Sequence, residues 1–94
     1  MEKGYVYILT NKNNSVLYIG VTSNITQRIN THKLKLIPGF SAKYNCTKLV
    51  HLEMFDHIKE AIAREKQLKN WHREWKFNLI KSVNPLFEEI QTYI

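Results

Sequence analysis

An α+β fold, within the broad α/β class, is predicted for this chain from three observations. Two strand-like segments, residues 5–9 and 16–19, flank a turn cluster short enough to imply a hairpin. A third segment, residues 49–55, has the same branched and apolar make-up. The remaining stretches carry helical periodicity and helix end signals. Three strands and three to four helices in 94 residues are expected to form one domain, residues 1–94, with a modest core.

Tyr5-Val6-Tyr7-Ile8-Leu9 is the first strand, and period-2 alternation puts Tyr5 and Tyr7 on one face. Asn11 to Ser15 is the turn, and Val16-Leu17-Tyr18-Ile19 the second strand, antiparallel to the first. Tyr18 then lies opposite or diagonal to Tyr5 or Tyr7. Taken alone, the hairpin is explained by cross-strand aromatic packing.

The strand ends at Gly20, which permits a close or left-handed backbone approach. Asn24 and Gln27 form a capping-box pattern for a helix running to about Leu34, with Ile25 and Ile29 as its buried stripe. Arg28 and His32, spaced i, i+4, share a face of that helix. A phenol, a guanidinium and an imidazole therefore converge. Pro38-Gly39 breaks the chain, and residues 40–48 read as a loop in which Lys43 and Tyr44 are candidate contacts for a nucleic acid.

Leu49 to Phe55 is the third strand. Alternation groups Val50, Leu52 and Met54 against Leu49, His51, Glu53 and Phe55. Asp56 is expected to cap the next helix, with Glu60 in its first turn. Ile58, Ala61, Ile62, Glu65 and Leu68 fall on one face, so Glu65 sits within an apolar stripe. A carboxylate there needs a partner. An ion pair with a buried arginine or lysine and a metal ion both fit the position. A third helix is expected from about Asn70 to Ser82, with Trp71 and Trp75 as core anchors and Lys66, Lys69, Arg73, Lys76 and Lys81 on polar faces. Asn84-Pro85 is expected to open a short fourth helix packed down by Leu86, Phe87 and Ile90.

Lysine and arginine outnumber aspartate and glutamate 14 to 8, a formal charge of +6. Such a balance favours a polyanionic partner, nucleic acid above all, over a merely basic surface. No apolar run of about 18 residues could span a membrane. The N-terminus lacks a signal-peptide pattern, and Cys46 is a single cysteine with no zinc-type spacing to histidine. A cytoplasmic location is the expectation.

Tyr7, Tyr18, Arg28, His32 and Glu65 form a set sufficient for cleaving a phosphodiester. An arginine can clamp the phosphate. One carboxylate can hold Mg²⁺ together with phosphate oxygens and water. An imidazole can take the proton of a phenol that is otherwise a weak base. The chain lacks a Gly-x-Ser-x-Gly elbow, a phosphate-binding Gly-rich loop and a dinucleotide fingerprint.

Tyr5-Val6-Tyr7, Tyr18-Ile19-Gly20, Arg28, His32 and Glu65, in this order and spacing, closely resemble the GIY-YIG (URI-type) nuclease family. The likeness covers nearly the whole chain and is to the small stand-alone members. It extends through Gly4 to Leu9, Lys48 to Val50, Ala61 to Glu65, Leu68-Lys69, Leu79-Ile80 and Asn84-Pro85. Tyr5 stands where the first motif of the family begins with glycine. The resemblance implies a three-stranded antiparallel sheet flanked by helices, and a DNA endonuclease using one Mg²⁺ or Mn²⁺ ion. It implies that Tyr7 is a general base or water-positioning group and that Tyr18 orients water or phosphate. Arg28 would stabilise phosphate charge, His32 would relay a proton from Tyr7, Gly20 would let the backbone pass close to the site, and Glu65 would hold the metal. Asn78 and Asn84 both match an asparagine that several members use. Family nucleases usually carry a further domain that selects DNA. Damaged or branched DNA, or a protein partner, is therefore expected to supply specificity, in repair or recombination. Two other readings of the residues stand beside this one: a nucleic-acid-binding module without turnover, and a structural or protein-interaction domain.

Overall fold

A computed structural model describes residues 2–92. Strands β1 (Gly4–Thr10), β2 (Leu17–Thr22) and β3 (Lys48–Phe55) form an antiparallel sheet in the order β2-β1-β3. Helix α1 (Ile25–Lys33) and the single turn α2 (Phe40–Lys43) lie between β2 and β3; α3 (Ile58–Lys69) and α4 (Arg73–Val83) follow β3. The α+β class and the sheet expected from the family resemblance are both present.

Central strand β1 splits the core by its pleat. Val6 and Ile8 join Ile19, Ala61, Leu68 and Ile80 under α3 and α4. Tyr7 and Leu9 join Ile25, Ile29, Cys46 and Leu49 on the α1 side. Helix α3 crosses the sheet closely enough that a Cβ on Gly4 would fall 2.6 Å from Ala61 Cβ. The hairpin turn is held by Asn11, whose Oδ1 accepts from Ser15 N at 2.8 Å and Val16 N at 3.2 Å.

Strand β3 departs from simple alternation. Its register against β1 slips between Ile8 and Leu9, which pair with His51 and Leu49. Val50 is the extra residue of a bulge. Leu49 thereby joins Leu52 on the α1 side, and Val50 turns to the α3 side with Phe55, the reverse of the expected grouping for that pair. The bulge leaves carbonyls for the C-terminal segment to bind. Asn84 Nδ2 donates to Val50 O at 3.0 Å, and Ile90 N donates to Leu49 O at 2.8 Å.

That segment is not the short helix expected after Asn84-Pro85. Asn84 also donates to Glu88 O at 2.8 Å and accepts from Glu88 N at 3.0 Å, which draws the chain along β3 instead of coiling it. Phe87 is buried and Ile90 packs on the α1-side core, but Leu86 is exposed.

Three further expectations change. His57, not Asp56, is the N-cap residue of α3, without a side-chain cap. Residues 40–48 are not all loop, since they contain α2 and the first residue of β3. Trp75 is 52 % exposed. Trp71 precedes α4, so the two tryptophans do not share a helical stripe; Trp71 packs on the core and meets Trp75 edge-on at 6.1 Å.

Glu53, on the α3 side of the sheet, binds Arg64 at 2.8 and 3.1 Å and accepts from His51 at 2.8 Å. Burial raises its carboxyl, but these bonds outweigh burial and hold it below the usual range.

Candidate active site

Tyr7, Tyr18 and His32 meet on the α1 side of the sheet, with Arg28 on α1 itself, while Glu65 stands on α3. Tyr7 is fully buried on β1. Its direct cross-strand partner is Gly20, and a Cβ there would lie 2.3 Å from both Tyr7 Cζ and Oη. Gly20 is therefore required for space. The close approach expected at this glycine is made by the phenol, with no left-handed backbone. Tyr18, two residues earlier, places its ring 6.3 Å from that of Tyr7.

Helix α1 supplies the other groups. Asn24 caps it, accepting from Gln27 N at 3.1 Å, and Ile25 and Ile29 bury its inner stripe. This fixes the rotation that turns His32 inward, where it is 2 % exposed. His32 Nε2 lies 3.0 Å from Tyr7 Oη, and Nδ1 lies 2.9 Å from Ser41 Oγ. The His32 ring is 5.6 Å from that of Tyr7 and 5.2 Å from that of Tyr18.

Burial pushes the Tyr7 phenol well above its ordinary range; Tyr18 and Glu65 add to this, while Arg28 opposes it. Burial also lowers His32, and the Arg28 charge lowers it further. In the neutral imidazole one ring nitrogen donates and the other accepts, and the hydroxyls of Tyr7 and Ser41 can each take the complementary role.

Ser41 is buried, and sequence reading missed it. A serine in an apparent loop carries no signal. Gly39, at φ 120°, starts α2, and this single turn brings Ser41 beneath His32. Lys43 and Tyr44, from the same turn, are exposed; the Tyr44 ring is 4.7 Å from that of Phe40, itself stacked on Tyr18.

Arg28 is half-buried and makes no ion pair among the described residues. It opens onto a polar cavity of about 440 Å³ lined also by Thr22, Asn24, Gln27 and Thr31. Glu65 is half-buried with its side chain 14 % exposed, and it pairs with Lys69 at 3.0 Å. This lysine is exposed, so it is not the buried arginine or lysine that the sequence left open as a structural partner. Asn84 is committed to the β3 bulge and Asn78 is exposed. A larger cavity of about 510 Å³, among Lys12, Lys33, Lys48 and Glu89, contains none of these groups.

Comparison with known proteins settles the family. The model of the GIY-YIG catalytic domain matches residues 3–78. The chain belongs to the GIY-YIG family. This GIY-YIG protein is 42 % identical to a UPF0213 protein of Staphylococcus haemolyticus over 85 residues, 86 % of this chain and 98 % of the relative. A UPF0213 protein of Syntrophus aciditrophicus is 42 % identical over 89 residues, 90 % of this chain and 97 % of that one. Among solved structures, the solution structure of a UPF0213 protein from Bacillus halodurans matches with a TM-score of 0.58 and 28 % identity, covering 92 % of this chain and 90 % of that one. The chain is thus a small member of a nuclease family, and nucleic acid is the substrate class that membership implies. Among the described residues, no helix is long and apolar enough to cross a membrane.

Proposed function

We propose that this GIY-YIG domain is a metal-dependent DNA endonuclease that hydrolyses phosphodiester bonds, with a role in repair or recombination. The observation that carries the reading is the hydrogen-bonded line Tyr7–His32–Ser41, with the Tyr18 ring against that of Tyr7 and the Arg28 and Glu65 charges felt at the phenol.

The phenol is too weak a base to act alone. A proton taken from water by Tyr7 Oη is matched by transfer of the phenol's own proton to His32 Nε2. The imidazole supplies the basicity, Tyr7 is the conduit, and Ser41 holds the ring in place; the step needs Nε2 as the acceptor, with the ring proton on Nδ1. Arg28 offsets charge as water adds to phosphorus and the bond to the leaving sugar oxygen breaks. Tyr18 orients water or phosphate beside them.

Among the described residues, no three acidic, histidine or cysteine side chains cluster as a cage. One half-buried carboxylate fits a Mg²⁺ or Mn²⁺ ion that takes its other ligands from phosphate and water. Glu65 would hold that ion, which would polarise the phosphoryl group and assist the leaving oxygen. Specificity is left to damaged or branched DNA or to a protein partner.

The test is incubation with plain, nicked, flapped and branched DNA in Mn²⁺, comparing wild type with Glu65→Ala and Arg28→Ala. Cleavage by wild type alone supports the reading; equal nicking by all three proteins means contamination and removes it. A +6 chain that holds DNA through phosphates also loses affinity steeply with salt. A flat salt response favours the protein-interaction domain.

A further inference from the structure

An open cavity of about 200 Å³ adjoins the site, walled by Leu17, Tyr18, Ile19, Phe40, Lys69 and Lys76. Its walls differ in chemistry. One is aromatic: Phe40 stacks on Tyr18 with planes 25° apart and centroids 6.4 Å apart, and Tyr44 continues the aromatic surface at 4.7 Å. The other carries two lysines: Lys69 of α3, whose ammonium also pairs with Glu65 at 3.0 Å, and Lys76 of α4, whose ammonium also donates to Lys69 O. Phe40 is 49 % exposed, so the sheet core does not account for its ring. Lys43 Nζ, 5.4 Å from the Tyr44 centroid, brings a further cation to the outer end of the aromatic surface.

A π surface facing cations matches one ligand chemistry closely, a base with its phosphates. A base paired in a duplex has both faces covered by its neighbours, so only an unpaired nucleotide can lay a face on Phe40. We propose that Phe40, with Tyr18 and Tyr44, stacks an unpaired nucleotide beside the phosphate to be cut, while Lys69 and Lys76 hold the adjoining phosphates. The preferred substrate is then a single strand, or a flap or bulge with unpaired nucleotides at the cut. The placement beside a scissile phosphate rests on the endonuclease reading; the stacking does not.

The experiment is fluorescence anisotropy of the full chain with labelled oligothymidine, the matching oligoribonucleotide and a blunt duplex, in EDTA so that nothing is cut. Phe40→Ala and Phe40→Leu are expected to weaken binding of the unpaired strands by about 5- to 150-fold, with the duplex unchanged. Phe40→Tyr is expected to restore binding. The two sugars distinguish DNA from RNA as the strand held. Wild-type affinity in Phe40→Leu, or an equal loss on duplex in a variant with wild-type circular dichroism, overturns the proposal. A parallel Mn²⁺ cleavage assay with Glu65→Gln separates the two readings. Phe40-dependent binding without cleavage of any substrate by wild type removes the endonuclease and keeps the stacking site. Glu65-dependent cleavage without any Phe40 effect does the reverse.

Discussion

The phenol of Tyr7 occupies the space that a side chain on Gly20 would need: a Cβ at Gly20 would lie 2.3 Å from Tyr7 Oη. The glycine of one motif is thus the seat of the tyrosine of the other. Gly20→Ala must displace a fully buried ring that cannot fold away. A loss of about 1–3 kcal/mol is expected in urea unfolding, from overpacking, together with loss of cleavage as the Tyr7–His32 bond breaks. An alanine variant as stable as wild type would contradict this account.

His32 provides a pH test. Its folded pKa is lowered, so below its ordinary value of about 6.5 the unfolded chain binds more protons than the folded one. This contribution is fully present above that pH and is lost as pH falls through the folded pKa. Thermal melts between pH 7.5 and 5 should show a fall in stability that is smaller in His32→Gln.

Arg28 pushes His32 down by its charge. Arg28→Ala should therefore raise the His32 pKa, which NMR titration of the ring would detect. The same variant should lose roughly a hundredfold or more in cleavage rate, the usual loss when a group stabilising transition-state charge is removed. An unmoved His32 titration would separate the two residues.

Glu65 pairs with a lysine whose side chain is 54 % exposed, so the pair contributes at most about 1 kcal/mol. Glu65→Gln is expected to unfold near the wild-type midpoint while losing Mn²⁺-dependent cleavage. A large fall in stability would instead mark Glu65 as a structural carboxylate.

Asn84 gives a contrasting result. Asn84→Ala leaves Val50 O without its side-chain donor and frees the segment leading to Ile90. A loss of about 1–3 kcal/mol is expected in urea unfolding, with cleavage retained at low temperature.

Local signals made much of this protein readable. Asn24 and Gln27 announced α1, alternation placed Tyr5 and Tyr7 on one side of β1, and i, i+4 spacing joined Arg28 to His32. These depend on backbone geometry that repeats over a few residues. The bulge at Val50 was not readable, because it answers to hydrogen bonds from Asn84 and Ile90, far along the chain. Ser41 was missed because only the one-turn α2 carries it under His32. Trp75 was misplaced because helical spacing was extended across a turn.

The order and types of the motif residues, the hairpin, the helix caps and the positive charge belong to the linear chain. Propensity, capping and periodicity act between near neighbours and need no partner from elsewhere. The fold alone decided the state of the groups. Burial keeps the Tyr7 proton on and favours the neutral form of His32, Ser41 holds the imidazole ring, and Lys69 pairs with Glu65. Desolvation and hydrogen bonding depend on what surrounds an atom in space, and β1, α1, α2 and α3 must meet before any such surroundings exist.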